Sequence, residues 1–287
     1  CAGPKRLEPE DLVGMQCWGA FDLSSTTDMC AWCLLFWDGQ HWYAFVRYWV
    51  PQEQAKQRTE RRSAPYQAWV DAKWVFATEG DRIDYAVIRE QILADVRMFN
   101  PTKIAYDPWN AQQLVTELTN EGLELEIFIQ GPRSYHPAMQ ALDVAYVGRR
   151  LIHGGNPVLQ WNAANLVPRF DVNMNMAPDK RKSADKIDGM CALLMAFGLA
   201  ITEAGDDSGG FFEEPIARRS EPHDRKEPAA HRRPAHRACA DEPAVVLQPA
   251  LHVLPVRHGE DELQALARRR PGEGTGQPVA IARRHHD

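Results

Sequence analysis

At 287 residues, with 44% hydrophobic side chains and nine Trp, the chain has enough apolar material for one large domain or two small ones, so it reads as a soluble globular protein with something appended. A formal net charge of -6 offers no global attraction to nucleic acid, which disfavours a simple DNA-coating protein; DNA binding would need a local basic patch and neutralising metal ions. Six Cys without a disulfide framework, no signal peptide and no apolar run long enough for a bilayer fit a reducing cytoplasm.

Residues 1–15 read as a linker remnant: the chain starts at Cys1 rather than Met and is expected to be a fragment. Three strands follow, Gln16–Leu23, Met29–Trp37 and His41–Val50, joined by the polar turn Ser24-Ser-Thr-Thr-Asp28 and by Asp38-Gly39. Asp-Gly between alternating apolar runs is a hairpin signal, so these strands are expected to be antiparallel. Cys30-Ala-Trp-Cys33 has redox or zinc spacing, but it lies inside a strand without a second ligand pair and is assigned to core packing.

Next comes a polar connector, Gln52–Ser63, then a helix from Pro65 and another over Asp84–Met98, with Val87, Ile88, Ile92 and Val96 at helical spacing. Asn100-Pro101 stops it. The pattern then becomes strand Lys103–Asp107, helix Asn110–Asn120, strand Glu124–Ile129 and a helix reaching about Arg150. A helix near Leu159–Asn165, a basic loop Lys180-Arg-Lys-Ser183 and a final helix Lys186–Glu203 complete the domain. This order predicts an α/β fold with a mixed sheet, three antiparallel strands and then two parallel ones, flanked by helices over 16–205.

Composition changes near residue 205: residues 206–287 turn rich in Arg, Pro, Ala, His and Glu, without Trp, Tyr, Asn or Met. Such a segment cannot bury much core and reads as a disordered or out-of-frame tail, the alternative being a genuine flexible tail.

Three aspartates are placed where apolar segments would hold them against the core. Asp22 ends Trp18-Gly-Ala-Phe-Asp22, Asp107 ends Lys103-Ile-Ala-Tyr-Asp107, and Asp188 begins a long apolar helix. Asp22 shares a strand face with Ala20 and Trp18, and Asp107 shares one with Ala105. If the first strand is central and parallel to the fourth, both acids meet at strand carboxyl ends, where open α/β sheets bind ligands. Buried carboxylates are costly unless paired or bound to metal, and carboxylates without His or Cys select hard cations such as Mg2+ or Mn2+. Two such ions about 4 Å apart can hold a phosphodiester, activate water and stabilise the leaving oxygen. Singly, Asp22 and Asp107 could instead be turn residues and Asp188 a helix-start acid; Asp28 is either a fourth metal ligand or a turn cap.

Lys180, Arg181, Lys182 and Lys186 cluster before Asp188, and Arg133, Arg149 and Arg150 come earlier. These would neutralise DNA phosphates without reading sequence, the bland alternative being a solvated loop. His153-Gly-Gly-Asn-Pro157 is either a group near the site or a plain turn before a helix. There is no Gly-x-x-x-x-Gly-Lys-Ser/Thr loop, so no ATP site is expected.

Four stretches carry a family likeness: Gly19-Ala-Phe-Asp-Leu-Ser-Ser-Thr-Thr-Asp28, Ile104-Ala-Tyr-Asp-Pro-Trp-Asn-Ala111, His153-Gly-Gly-Asn-Pro-Val158, and Lys182-Ser-Ala-Asp-Lys-Ile-Asp-Gly189 leading into an alanine-rich helix. Residues 16–203 resemble the C-terminal nuclease domain of the large terminase subunit of tailed phages and prophages, which has an RNase H-like fold. The resemblance implies that Asp22, Asp107 and Asp188 bind two divalent cations and that the enzyme cuts concatemeric double-stranded viral DNA during packaging in the bacterial host cytoplasm. It implies the small terminase subunit and the portal or procapsid as partners. Complete family members also carry an N-terminal ATPase domain, which the sequence here lacks. Rival readings are an RNase H-like resolvase or transposase core and a non-catalytic prophage remnant that only binds DNA or packaging partners.

Overall fold

Alternating and continuous apolar runs make the first half of the sheet. In this computed structural model, which describes residues 5–23, 27–61, 64–109 and 111–206 (side chains to 203), β1 (Gln16–Asp22), β2 (Cys30–Trp37) and β3 (Trp42–Pro51) pair antiparallel in succession. The strand β2 is buried on both faces, which is why Cys-Ala-Trp-Cys-Leu-Leu-Phe is apolar throughout. Its Cys30 and Cys33 are not joined in a disulfide and are buried in separate cores on opposite faces, so they form no ligand pair.

The chain continues through α1 (Gln52–Glu60), α2 (Tyr66–Asp71), β4 (Phe76–Thr78) and α3 (Tyr85–Phe99). Asp84 caps α3 by accepting the Ala86 N–H at 2.9 Å, and Asn100 ends it in the left-handed region at φ 47°. Next come β5 (Ile104–Tyr106), α4 (Gln112–Asn120), β6 (Leu125–Ile127), α5 (Pro132–Val147), β7 (Leu151–Ile152) and α6 (Pro157–Asn165). A small hairpin, β8 (Pro168–Phe170) and β9 (Met176–Pro178), precedes α7 (Asp188–Asp206).

The sheet order is β4-β3-β2-β1-β5-β6, with β7 also pairing with β3. The β1/β5 and β5/β6 pairs are parallel, so the expected mixed sheet flanked by helices is the architecture found. One face carries Trp18, Ala20, Ala31, Cys33 and Tyr48 beneath α5, α6 and α7. The other carries Phe21, Trp32, Phe36 and Trp49 beneath α3 and α4. With aromatics and aliphatics filling both faces, burial of apolar area holds the helices on the sheet.

Three features depart from the sequence expectation. The polar connector is helix α1, whose one buried side chain, Ala55, leaves almost no amphipathic stripe to read. The strands β4 and β7 exist by pairing with β3 and are too short for any period to register. Within the expected linker, Leu12 is buried, while the Arg6 guanidinium lies 3.9 Å from the Trp74 ring centre and donates to the Ala72 and Lys73 carbonyls. The tail from residue 207, part of the turn after Leu23, and Asn110 lie outside the described residues.

Candidate functional site

Parallel pairing of β1 with β5 sets Gly19 beside Ile104, Ala20 beside Ala105 and Phe21 beside Tyr106. The next residue on each strand is an aspartate, so Asp22 and Asp107 stand side by side at the carboxyl edge, on the α7 face. From that face Asp188 enters as the first residue of α7, where the helix N-terminus favours negative charge. Cys191, Ala192 and Met195, three, four and seven residues on, are fully buried and turn this side of α7 to the sheet.

Asp22 is 1% exposed and Asp188 6%. The Lys180 ammonium reaches Asp22 from the loop after β9, at 2.9 Å from Oδ2 and 3.2 Å from Oδ1. Gln130, just after β6, donates its side-chain amide to Asp22 Oδ1 at 3.0 Å. Asp107 accepts the Trp109 N–H at 3.4 Å. By contrast, Asp188 Oδ2 is buried without a hydrogen-bond partner. A buried carboxylate oxygen with nothing to bind is expensive.

The electrostatics follow from that crowding. Burial, then the negative charge of Asp22, pushes the Asp188 carboxyl up to about 7, against the pull of Lys180 and Lys186. Burial also raises Asp107, with Asp22 adding to it and the Trp109 N–H opposing it. For Lys180, burial opposes the charged form, but Asp22 above all holds its ammonium well above the usual lysine range. The sign of the Asp188 shift gives a prediction. An acid raised in the folded state favours folding below its unfolded value of about 4, and that contribution is lost as pH rises through about 7. In EDTA, Asp188→Asn should therefore gain stability over the unsubstituted chain between pH 5 and 8, by on the order of a few kcal/mol, as read by urea unfolding.

The basic residues divide. Lys186 pairs with Asp28, which also accepts the Met29 N–H at 2.9 Å and lies 3.5 Å from Arg58. Asp28 therefore caps its own turn at Met29 and is engaged in ion pairs beside the site. Arg58 also binds Asp185 at 2.8 Å, and with Lys180, Lys186 and Asp188 it lines one pocket. Arg181 and Lys182 are exposed in the loop, and Arg133 is exposed at the start of α5, close in sequence to Gln130. Arg149 and Arg150 follow the other end of α5, where the Arg150 carbonyl meets Trp42 at the sheet edge opposite Asp22. His153 is likewise away from the acids, in a pocket with Arg6, Leu7 and Trp74, while Asn156 caps α6 by accepting from Val158 and Leu159.

Sequence reasoning missed Arg58, Gln130 and Asn162. Asn162 is fully buried on α6, accepts the Gly189 N–H at 2.9 Å and donates to the Lys186 carbonyl at 3.0 Å, so it pins the start of α7. An Asn within an apolar helix was its signal; Arg58 sits in a polar stretch with none, and Gln130 follows the apolar run Ile127-Phe128-Ile129 at the end of the β6 segment. The side chains of Tyr48 and Asn162 approach Gly189 closely.

Among the described residues, no group of three or more His, Cys, Asp or Glu side chains is arranged so that it could hold a metal ion. The donor chemistry nonetheless suits a hard divalent cation: burial, with the charge of Asp22 adding to it, raises both Asp107 and Asp188, and one buried Asp188 oxygen lacks a partner.

Among the described residues, no helix is long and apolar enough to cross a membrane. Residues 5–204 match the family model of the terminase large subunit, endonuclease domain. The chain is 32% identical over 206 residues to the terminase large subunit of Enterobacteria phage HK97, covering 70% of this chain and 41% of that protein. It is 31% identical over 215 residues to protein YmfN of Escherichia coli K12, covering 71% and 47%. The crystal structure of the HK97 bacteriophage large terminase matches with a TM-score of 0.63 at 30% identity, over 69% of this chain and 41% of that one. The chain thus spans less than half the length of these relatives. With the family model covering the whole sheet and all three acids, the chain belongs to the terminase large-subunit endonuclease-domain family.

Proposed function

We propose that the chain is a metal-dependent endonuclease that cleaves concatemeric double-stranded viral DNA during genome packaging in the bacterial host cytoplasm. The observation that carries this reading is the meeting of Asp22, Asp107 and Asp188 at one sheet edge, with Asp188 Oδ2 unpartnered. Asp22, Asp107 and Asp188 would hold two Mg2+ or Mn2+ ions, which supply Lewis acidity for water activation and leaving-oxygen stabilisation. The chain's own contribution is placement. Parallel register fixes Asp22 beside Asp107, Asn162 pins the backbone around Asp188, and Gln130 orients the Asp22 carboxylate.

Arg133, Arg181 and Lys182, exposed around this edge, would take DNA phosphates, and Lys180 and Lys186 would join them once released from Asp22 and Asp28. Phosphate contacts carry no base readout, so weak sequence preference is expected. Small terminase subunit and portal or procapsid are the partners this reading implies.

The test is incubation of the full chain with supercoiled plasmid at low salt, with Mn2+, Mg2+ or EDTA. Nicking and linearisation that need metal are expected. Preference for branched DNA or strand transfer would instead favour a resolvase or transposase core, and metal-independent DNA binding without cleavage by folded protein would favour a non-catalytic remnant.

A further inference from the structure

Resting on the nuclease reading, we propose that Lys180 is a stand-in cation: its ammonium occupies both oxygens of Asp22 and holds the side chain in place until a divalent ion displaces it, so Lys180 sets the metal affinity of the site. Its Nζ lies within 3.2 Å of both Asp22 carboxylate oxygens, using the lone pairs a metal would need. Asp22 is 1% exposed, and a cation in contact with it offsets the cost of burying its carboxylate.

The lysine is built to leave. Its side chain is 46% exposed, so the stem runs in from solvent although the ammonium itself is buried against Asp22. Its backbone is fixed separately: Asp179 Oδ1 accepts the Arg181 and Lys182 N–H groups at 3.1 and 3.3 Å, and the Asp179 carbonyl accepts the Ser183 N–H at 3.0 Å. Release therefore needs rotation of one long side chain, with no loop rearrangement. The substitution is also incomplete. The Lys180 ammonium contacts Asp22 alone, Lys186 acts on Asp188 while paired with Asp28, and Asp188 Oδ2 is left without a hydrogen-bond partner. A divalent ion that engages all three acids outcompetes it on charge and coordination. Once expelled, the ammonium stays tethered at the edge, within reach of a bound phosphate.

The experiment is Mn2+ titration calorimetry on the full chain and on Lys180→Met, which keeps length and removes charge, with thermal melts in EDTA and in saturating Mn2+. Lys180→Met is expected to bind Mn2+ about 10-fold more tightly or better, and to melt lower than the unsubstituted chain in EDTA, with the gap closing in Mn2+. Lys180→Arg, which keeps a cation, should retain the weaker affinity. Equal or weaker Mn2+ binding by folded Lys180→Met would overturn the stand-in role while leaving the metal site intact. Mn2+ binding that is absent from every protein, or indifferent to Asp22→Asn, would overturn the metal-site reading and this inference with it.

Discussion

Asp22→Asn is expected to lower metal-dependent plasmid cleavage by about 100-fold or more, with the fold retained. Asparagine matches aspartate in shape and fits a position that is 1% exposed, so the β1 edge need not repack. What disappears is the negative charge at the centre of the site. Asp22 is the acid whose charge bears on both Asp107 and Asp188, and it is the one Lys180 grips. Its neutral replacement leaves two acids to hold cations, and the Lys180 ammonium then faces a group that can only half satisfy it. Initial nicking rates in Mn2+, with circular dichroism to show that the protein is folded, measure the effect. Cleavage within a few-fold of the unsubstituted chain would remove Asp22 from the mechanism and with it the proposed function.

Gly189→Ala is expected to be strongly destabilising for a single added methyl group, costing about 2–4 kcal/mol. A Cβ at this position would stand 2.6 Å from Tyr48 Cε1 and 2.7 Å from Asn162 Oδ1, and Tyr48 and Asn162 are both fully buried. Neither can move aside cheaply, because Tyr48 belongs to β3 and Asn162 holds both Gly189 and Lys186. The start of α7 must shift instead, carrying Asp188 away from Asp22. At about 2–4 °C per kcal/mol for a domain of this size, the melting temperature should fall by roughly 10 °C. Cleavage should fall as well, even at temperatures where the variant remains folded. A melt within 2 °C of the unsubstituted chain, read by differential scanning calorimetry, would show that the contact relaxes freely.

Much of this architecture is legible in order along the chain, because its causes are local. Alternating or continuous apolar runs bounded by turn residues mark β1, β2 and β3, and the spacing of Ile88, Ile92 and Val96 marks α3. The aspartates announce themselves by position, two at strand ends and one at the head of an apolar helix. Parity then predicts that Asp22 shares a strand face with Ala20 and Trp18, and Asp107 one with Ala105, because side-chain alternation is internal to a strand, while the β1/β5 register is what turns the two acids to the same side of the sheet.

What the tertiary structure alone decided is everything that depends on a partner distant in sequence. Helix α1 has no apolar stripe to declare it, and β7 is two residues that become a strand by pairing with β3. Gln130 and Lys180 meet Asp22 across 108 and 158 residues. Composition shows a lysine among lysines, and its charge suits a phosphate as well as a carboxylate. Which partner it takes is set by where β9 delivers the loop and by how deeply Asp22 is buried, since an ion pair is a property of distance and desolvation rather than of residue type.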